Sequence, residues 1–250
     1  MSTTYLATAI LLTFSWHALA AAKPPVPQSD LRDFLLDVAQ RSRSTESATE
    51  SFESRYEFVH TKVTEERNPK GELKKREVDR VPHHPGNPEP VPGGSTRSPA
   101  GARSGNEDKA ASREDFQVDA EILSRFHYTP RGEEIVHGRS QRVIDFEPAG
   151  DHLPVHSFKD KYINQTAGRL WIDEQALVLT RLQMRLLKPV NVWGGVLGAI
   201  AEFHFNLERE QTSEGDWYTR RVQWHLKGRR LFVGKIIDFH EERTDVRRIH

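Results

Sequence analysis

Hydrophobic and polar residues alternate most clearly between about Tyr162 and His240. In Ile200–Gln211, Ala201, Phe203, Phe205 and Leu207 are apolar, while Glu202, His204, Asn206, Glu208 and Glu210 are polar. A period of two places each set on its own side of a pleated strand, one toward a core or ligand and the other toward water. The same reading predicts strands over Gly168–Asp173, Leu177–Leu187, Trp217–Lys227 and Leu231–His240. Short turns at Asp173-Glu174-Gln175, Glu214-Gly215-Asp216 and Lys227-Gly228-Arg229 make neighbouring strands antiparallel.

Upstream, Leu31, Phe34, Leu35 and Val38 recur with helical spacing behind Ser29-Asp30, predicting an amphipathic helix that packs on the sheet. Ser42–Ser51 reads as a polar loop. Tyr56–Glu66 and Glu72–Val81 read as a hairpin across Asn68-Pro69-Lys70-Gly71. A short helix near Asp119–Ser124 precedes strands at Phe126–Tyr128, Glu134–Gly138 and Arg142–Phe146, the first two separated by Pro130-Arg131-Gly132. The fold class is mainly β (α+β): a curved antiparallel sheet or half-barrel, with an N-terminal helix and short helices in or across its concave face.

Two segments stand apart. Tyr5–Phe14 is apolar, and Ala18-Leu19-Ala20-Ala21-Ala22 supplies small residues for signal peptidase, so residues 1–22 read as a signal peptide and the protein as exported. An uncleaved anchor is the rival reading, although about 18 apolar residues barely span a membrane. Residues 23–250 then form one domain. Within it, Pro82–Arg113 is rich in Pro, Gly, Ser and charge and poor in large apolar side chains, which predicts a disordered insertion.

Composition removes several function classes. The chain has no cysteine, which excludes disulfides, thiolate metal sites and a lipid-bearing cysteine. Its 36 basic and 36 acidic residues cancel, so no global field draws nucleic acid. No Gly-x-Ser-x-Gly or His-Glu-x-x-His unit occurs. The histidines, including His83-His84 in the insertion and His152 and His156 around Pro154, read as scattered surface residues, and no metal or cofactor is expected. Asp145 and Glu147 share a strand face and read as solvated. Asn164-Gln165-Thr166 matches the glycosylation pattern, of consequence only in a eukaryotic host.

Three stretches carry a family resemblance: Tyr56-Glu57-Phe58; Gly138-Arg139 with Val143-Ile144-Asp145-Phe146-Glu147-Pro148; and Gly168-Arg169-Leu170-Trp171-Ile172-Asp173 leading to Leu179–Met184. Together with the order of elements they resemble the periplasmic lipoprotein carriers and lipoprotein-sorting proteins, a superfamily that includes a sensor restraining an envelope stress factor. The resemblance implies a half-barrel that shelters an acyl chain. Read locally, Asp173 starts a turn rather than a reaction.

The stretch Val190–Ile200 reads either as a buried connection or as a mobile apolar flap over a lipid-sized cavity or against a membrane surface. The candidate ligand-binding residues are Trp193, Val196, Leu197 and Ile200 there, with Phe203, Phe205, Val222, Trp224 and Leu226 on the strands. Three functions stay open: a non-enzymatic carrier for a lipid or lipoprotein acyl chain, an interaction or sensor module with a self-filled core and an envelope protein partner, and an envelope hydrolase.

Overall fold

The computed structural model describes residues 27–44, 52–86, 120–192, 198–230 and 233–249. The expected signal peptide, most of the expected insertion and Trp193–Leu197 lie outside them. In chain order the elements are α1 (Gln28–Ser44), β1 (Tyr56–Arg67), β2 (Leu73–His83), α2 (Ala120–Ser124), β3 (Phe126–Val136) and β4 (Arg139–Pro148). They continue with α3 (Phe158–Ile163), β5 (Thr166–Asp173), β6 (Val178–Leu186), β7 (Val190–Val192), β8 (Gly198–Gln211), β9 (Trp217–Arg230) and β10 (Val233–Arg248).

The ten strands of the described residues form one antiparallel sheet, in the order β2-β1-β10-β9-β8-β6-β5-β4-β3 with β7 beside β8. From β3 to β10 the chain is a meander. The first hairpin breaks the sequence order, because β1 pairs with β10, the last strand. The sheet does not close into a barrel; β2 and β3 are its edges. Mainly β architecture with few, short helices is therefore what the residue pattern specifies.

The helices lie on one face of one half. Leu31, Leu35 and Val38 of α1 are buried against Tyr128, Ile144, Phe146 and Ile172 of β3, β4 and β5. These are three of the four stripe positions expected from the spacing, and Phe34 sits at their margin. The helix begins at Gln28, ahead of the expected caps Ser29 and Asp30, and Gln28 has its own function. Its side-chain amide donates to the Tyr128 carbonyl (2.5 Å) and accepts from the Tyr128 N–H (3.0 Å), taking the place of a neighbouring strand on the outer side of edge strand β3. The C-terminal end runs through Ser44, so the first residues of the expected Ser42–Ser51 loop are helical.

Asn68 accepts from the N–H groups of Lys70 and Glu72, and Gly71 adopts φ +86°, which makes the expected β1–β2 turn. Pro130-Arg131-Gly132, by contrast, does not separate two strands. It is a bulge within one strand, with Gly132 at φ +103°, and the reversal comes at His137-Gly138, both at positive φ. Lys227-Gly228-Arg229 likewise lies inside β9, not at a turn. Gly228 is there because a Cβ would stand 2.6 Å from the Ala199 carbonyl oxygen.

His83 also departs from expectation. It ends β2 opposite Phe58, is buried, stacks on the Phe58 ring at 4.4 Å and bonds the Glu53 carbonyl at 2.7 Å. Ordered structure thus continues past the expected start of the insertion at Pro82. Asn164 is buried too, held by Arg125 and the Pro154 carbonyl, so its glycosylation pattern is sterically closed.

Asp173 performs the turn function read from the sequence. It is fully buried, accepts from the N–H groups of Gln175 (3.1 Å) and Ala176 (2.8 Å), and is forked by the Arg139 guanidinium. Burial raises its pKa, but the Arg139 bond and the backbone donors outweigh it and hold the carboxyl below its ordinary value. Asp173→Asn keeps the shape and loses the charge, and should cost about 2 kcal/mol, the scale of one charge-assisted bond. A carboxyl depressed in the fold stabilises above its ordinary pKa and ceases to as pH falls through the folded value. The melting-temperature gap between wild type and D173N should therefore be full at neutral pH and shrink only in strong acid. A gap that is constant across this range would show that the charge contributes nothing.

Candidate functional site

The apolar positions of β8 continue across neighbouring strands. Phe203 pairs with Leu226, Phe205 with Trp224 and Leu207 with Val222 on β9. On β10, Ile237 stands opposite Leu226 and Phe239 opposite Trp224. On the other side Met184 stands opposite Phe205 and Leu182 opposite Leu207 on β6. Directly opposed residues of antiparallel strands share a face, so these side chains form one apolar field. Four strands wide and five residues long, it measures about 14 Å in each direction.

This field lies on the helix-bearing face. Leu182 and Met184 pack against the buried core under α1, and Tyr162 of α3 meets Phe203 edge-on at 5.5 Å. The described helices pack on β3, β4, β5, β6 and β7. Phe203, Phe205, Leu207, Val222, Trp224, Leu226, Ile237 and Phe239 remain only half-buried. Trp224 and Phe239 stack at 5.2 Å between planes 15° apart, which orders the middle of the field without covering it.

Charge bounds the field. On β1, Lys62 pairs with Glu241 and Thr64 with Phe239, so the apolar surface ends at that strand boundary. Glu241 Oε1 lies in hydrogen-bond contact with His60 Nε2 at 2.8 Å. Burial raises the Glu241 pKa, yet the His60 bond and the charges of Arg243 and Lys62 prevail and keep it below the ordinary carboxylate range. Beyond this lies a small aromatic cluster, in which Phe52 stacks between Tyr56 (4.6 Å) and Tyr218 (5.0 Å). The field thus has a core on one side and a polar margin on the other.

Of the nine candidate residues, the structure brings Phe203, Phe205, Val222, Trp224 and Leu226 onto this one face. Ile200 joins them because a bulge at Ala201 sets it opposite Gly228, in line with Leu226. Ala201 itself is consequently exposed, although strict alternation placed it with Phe203. Trp193, Val196 and Leu197 lie outside the described residues. Ile237, Phe239, Leu182, Met184 and Leu207 belong to the field and were absent from the candidate set. Ile237-Asp238-Phe239-His240 shows the same alternation as β8 and was the signal for two of them.

The polar candidates resolve differently. Asp145 is not freely solvated: Arg131 (2.6 Å) and Arg169 (2.5 and 3.1 Å) clamp it, and the Arg169 bond foremost lowers its pKa. A carboxylate so occupied is poorly placed as a nucleophile. His152 and His156 are exposed, whereas His60 and His83 are buried and bonded, which corrects their reading as surface residues. Among the described residues no group of three or more His, Asp or Glu side chains could hold a metal ion. Also among them, no helix is long and apolar enough to cross a membrane.

No family model matches the sequence, and no curated protein matches it. Solved structures do match. One is a DUF1329 family protein from Desulfovibrio piger, at 14% identity and TM-score 0.32, covering 89% of this chain and 93% of that one. Another, described as an outer membrane lipoprotein-sorting protein domain, comes from Vibrio parahaemolyticus, at 11% identity, TM-score 0.29 and coverage of 84% and 91%. A third is a LolA superfamily protein from Nitrosomonas europaea, at 10% identity, TM-score 0.28 and coverage of 82% and 94%.

Proposed function

We propose that this is an exported, non-enzymatic binding protein that shelters the acyl chain of a lipid or lipoprotein against the apolar field of β6, β8, β9 and β10. One observation carries the reading. The aromatic and aliphatic side chains of that field continue a buried core yet remain half-exposed. Apolar surface ordered in this way gains free energy by meeting an apolar ligand, at about 25 cal/mol per Å² covered. The field offers no polar group between Phe203 and Phe239 that would select a headgroup, so recognition there rests on the hydrocarbon. Export rests on the signal-like start of the chain, and the family resemblance of Gly168–Asp173 points the same way.

Organic extraction of protein purified from an envelope fraction, followed by mass spectrometry, tests the proposal. About one acyl-bearing molecule per chain is the expected result. Protein that carries none, and does not take up a fatty acid added at saturating concentration, would instead support a module whose core is filled by its own side chains.

A further inference from the structure

The face of the sheet opposite the helices carries an uninterrupted polar row. Asp145 pairs with Arg169, Arg169 with Gln183, Gln183 with Asn206, Asn206 with Gln223 and Gln223 with His240. The row crosses six adjacent strands from β4 to β10, about 24 Å at the usual strand spacing. A second row beside it runs Arg185–His204–His225–Asp238. Two cavities, of about 560 and 490 Å³, are lined by residues of these rows, with Phe146, Ala167 and Met184 also lining the larger and Val63, Trp224 and Phe239 the smaller; they adjoin at His204 and Asn206, which line both.

The two ends of the main row are internally engaged: Asp145 is clamped by arginines, and Gln223 meets His240 at 2.9 Å. The centre is not. Among the described residues, the side chains of Gln183, Asn206 and Arg185 take no hydrogen bond or ion pair. Two neighbouring carboxamides and a guanidinium therefore face the trough with their full donor and acceptor capacity unused.

We propose that this trough binds an oligosaccharide laid across the strands. Three features of the surface select that class. A carboxamide both donates and accepts, as a sugar hydroxyl does, so a line of Gln and Asn matches a ligand dense in hydroxyls. The charges nearly balance: Arg131, Arg169 and Arg185 face Asp145, Glu147, Glu65 and Asp238. That balance gives a polyphosphate or nucleic acid no net attraction. An extended peptide would turn alternate side chains into the floor, and every position of the row from Asp145 to His240 is polar, the apolar Val63 standing beyond its end opposite His240. Arg185, the unengaged guanidinium, gives the site room for an acidic group on the sugar beside Asn206.

Titration calorimetry with cellohexaose and with hexagalacturonate tests the site. At least one hexasaccharide should bind, its trisaccharide more weakly. Gln183→Ala combined with Asn206→Ala should weaken binding about tenfold, close to 1.4 kcal/mol, with the melting temperature and the lipid content unchanged. Arg185→Ala should affect the acidic sugar more than the neutral one. In the wild-type protein, the side-chain amide NMR signals of Gln183 and Asn206 should shift on titration, which reports the site even if the double variant folds poorly. Three results would each overturn the proposal: no binding of either hexasaccharide at millimolar concentration, unchanged affinity in the double variant, or binding of hexaglutamate at least as tight as that of the sugars.

Discussion

Replacing Gly168 with alanine should destabilise the protein by about 3 kcal/mol, at the upper end of ordinary overpacking. For a domain of this size that lowers the melting temperature by roughly 10 °C. A Cβ at this position would lie 2.1 Å from the Gln183 carbonyl oxygen and 2.7 Å from the Phe146 ring. The carbonyl belongs to the neighbouring strand β6 and cannot withdraw without breaking the ladder there. Phe146 cannot swing away freely either, since it is buried and meets Phe126 edge-on at 5.2 Å. The Phe146 ring fills the place of the missing side chain, so the glycine and the aromatic form one unit across β4 and β5. A thermal melt of G168A decides the matter. A loss of less than about 2 °C would mean that the strands accommodate a methyl group and that the contact is not a constraint.

Phe205→Glu should abolish lipid retention while shifting stability by about 1 kcal/mol, as expected for a half-exposed position. Phe205 stands at the middle of the apolar field, between Met184 on one strand and Trp224 on the other. A carboxylate there would lie beside any bound hydrocarbon, with no cation among the field's residues to pair with it, and such desolvation is costly. If the field were instead closed by the protein's own chain, the same charge would be buried in the free protein and cost several kcal/mol. Melting curves and extracted lipid, measured on one variant, separate the two. A stable F205E that still carries an acyl chain at full occupancy would remove this face from the site.

Much of this architecture is legible in the residues, for reasons that differ by element. The alternation in β8 and the Leu31–Leu35–Val38 stripe are direct consequences of burial on one side, so periodicity reveals them. The Asn68–Gly71 turn is legible because its side chain and its positive φ act locally. Gly228 and Gly132 mislead because glycine serves close approach and bulges as well as turns, and only the neighbouring strand tells these apart. His83 misleads because a Pro-His-His-Pro-Gly run looks unfolded until Phe58 stacks on it from 25 residues away. The apolar field was half visible: Phe203, Phe205, Val222, Trp224 and Leu226 follow from alternation, whereas their union with Leu182 and Met184 depends on strand order. The polar row on the opposite face was invisible for the same reason, because each of its members lies on a different strand.

The pairing of β1 with β10 has a consequence for how the molecule comes into being. His60 and Glu241, bonded to one another, are 181 positions apart. A chain that emerges from its N-terminus therefore presents its first hairpin long before the strand that receives it exists. The meander from β3 to β9 can assemble from neighbours as each arrives, but β1 and β2 must wait, with the edge of β1 unpaired, until β10 is delivered. Such distant closures are slow and expose strand edges to wrong partners in the interval. The lysines and arginines that crowd β2, Lys74, Lys75, Arg76 and Arg80 among them, sit on the hairpin that has to wait. Their charge keeps that hairpin in solution and away from other chains. In the finished molecule they mark an outer strand; during maturation they act as a guard.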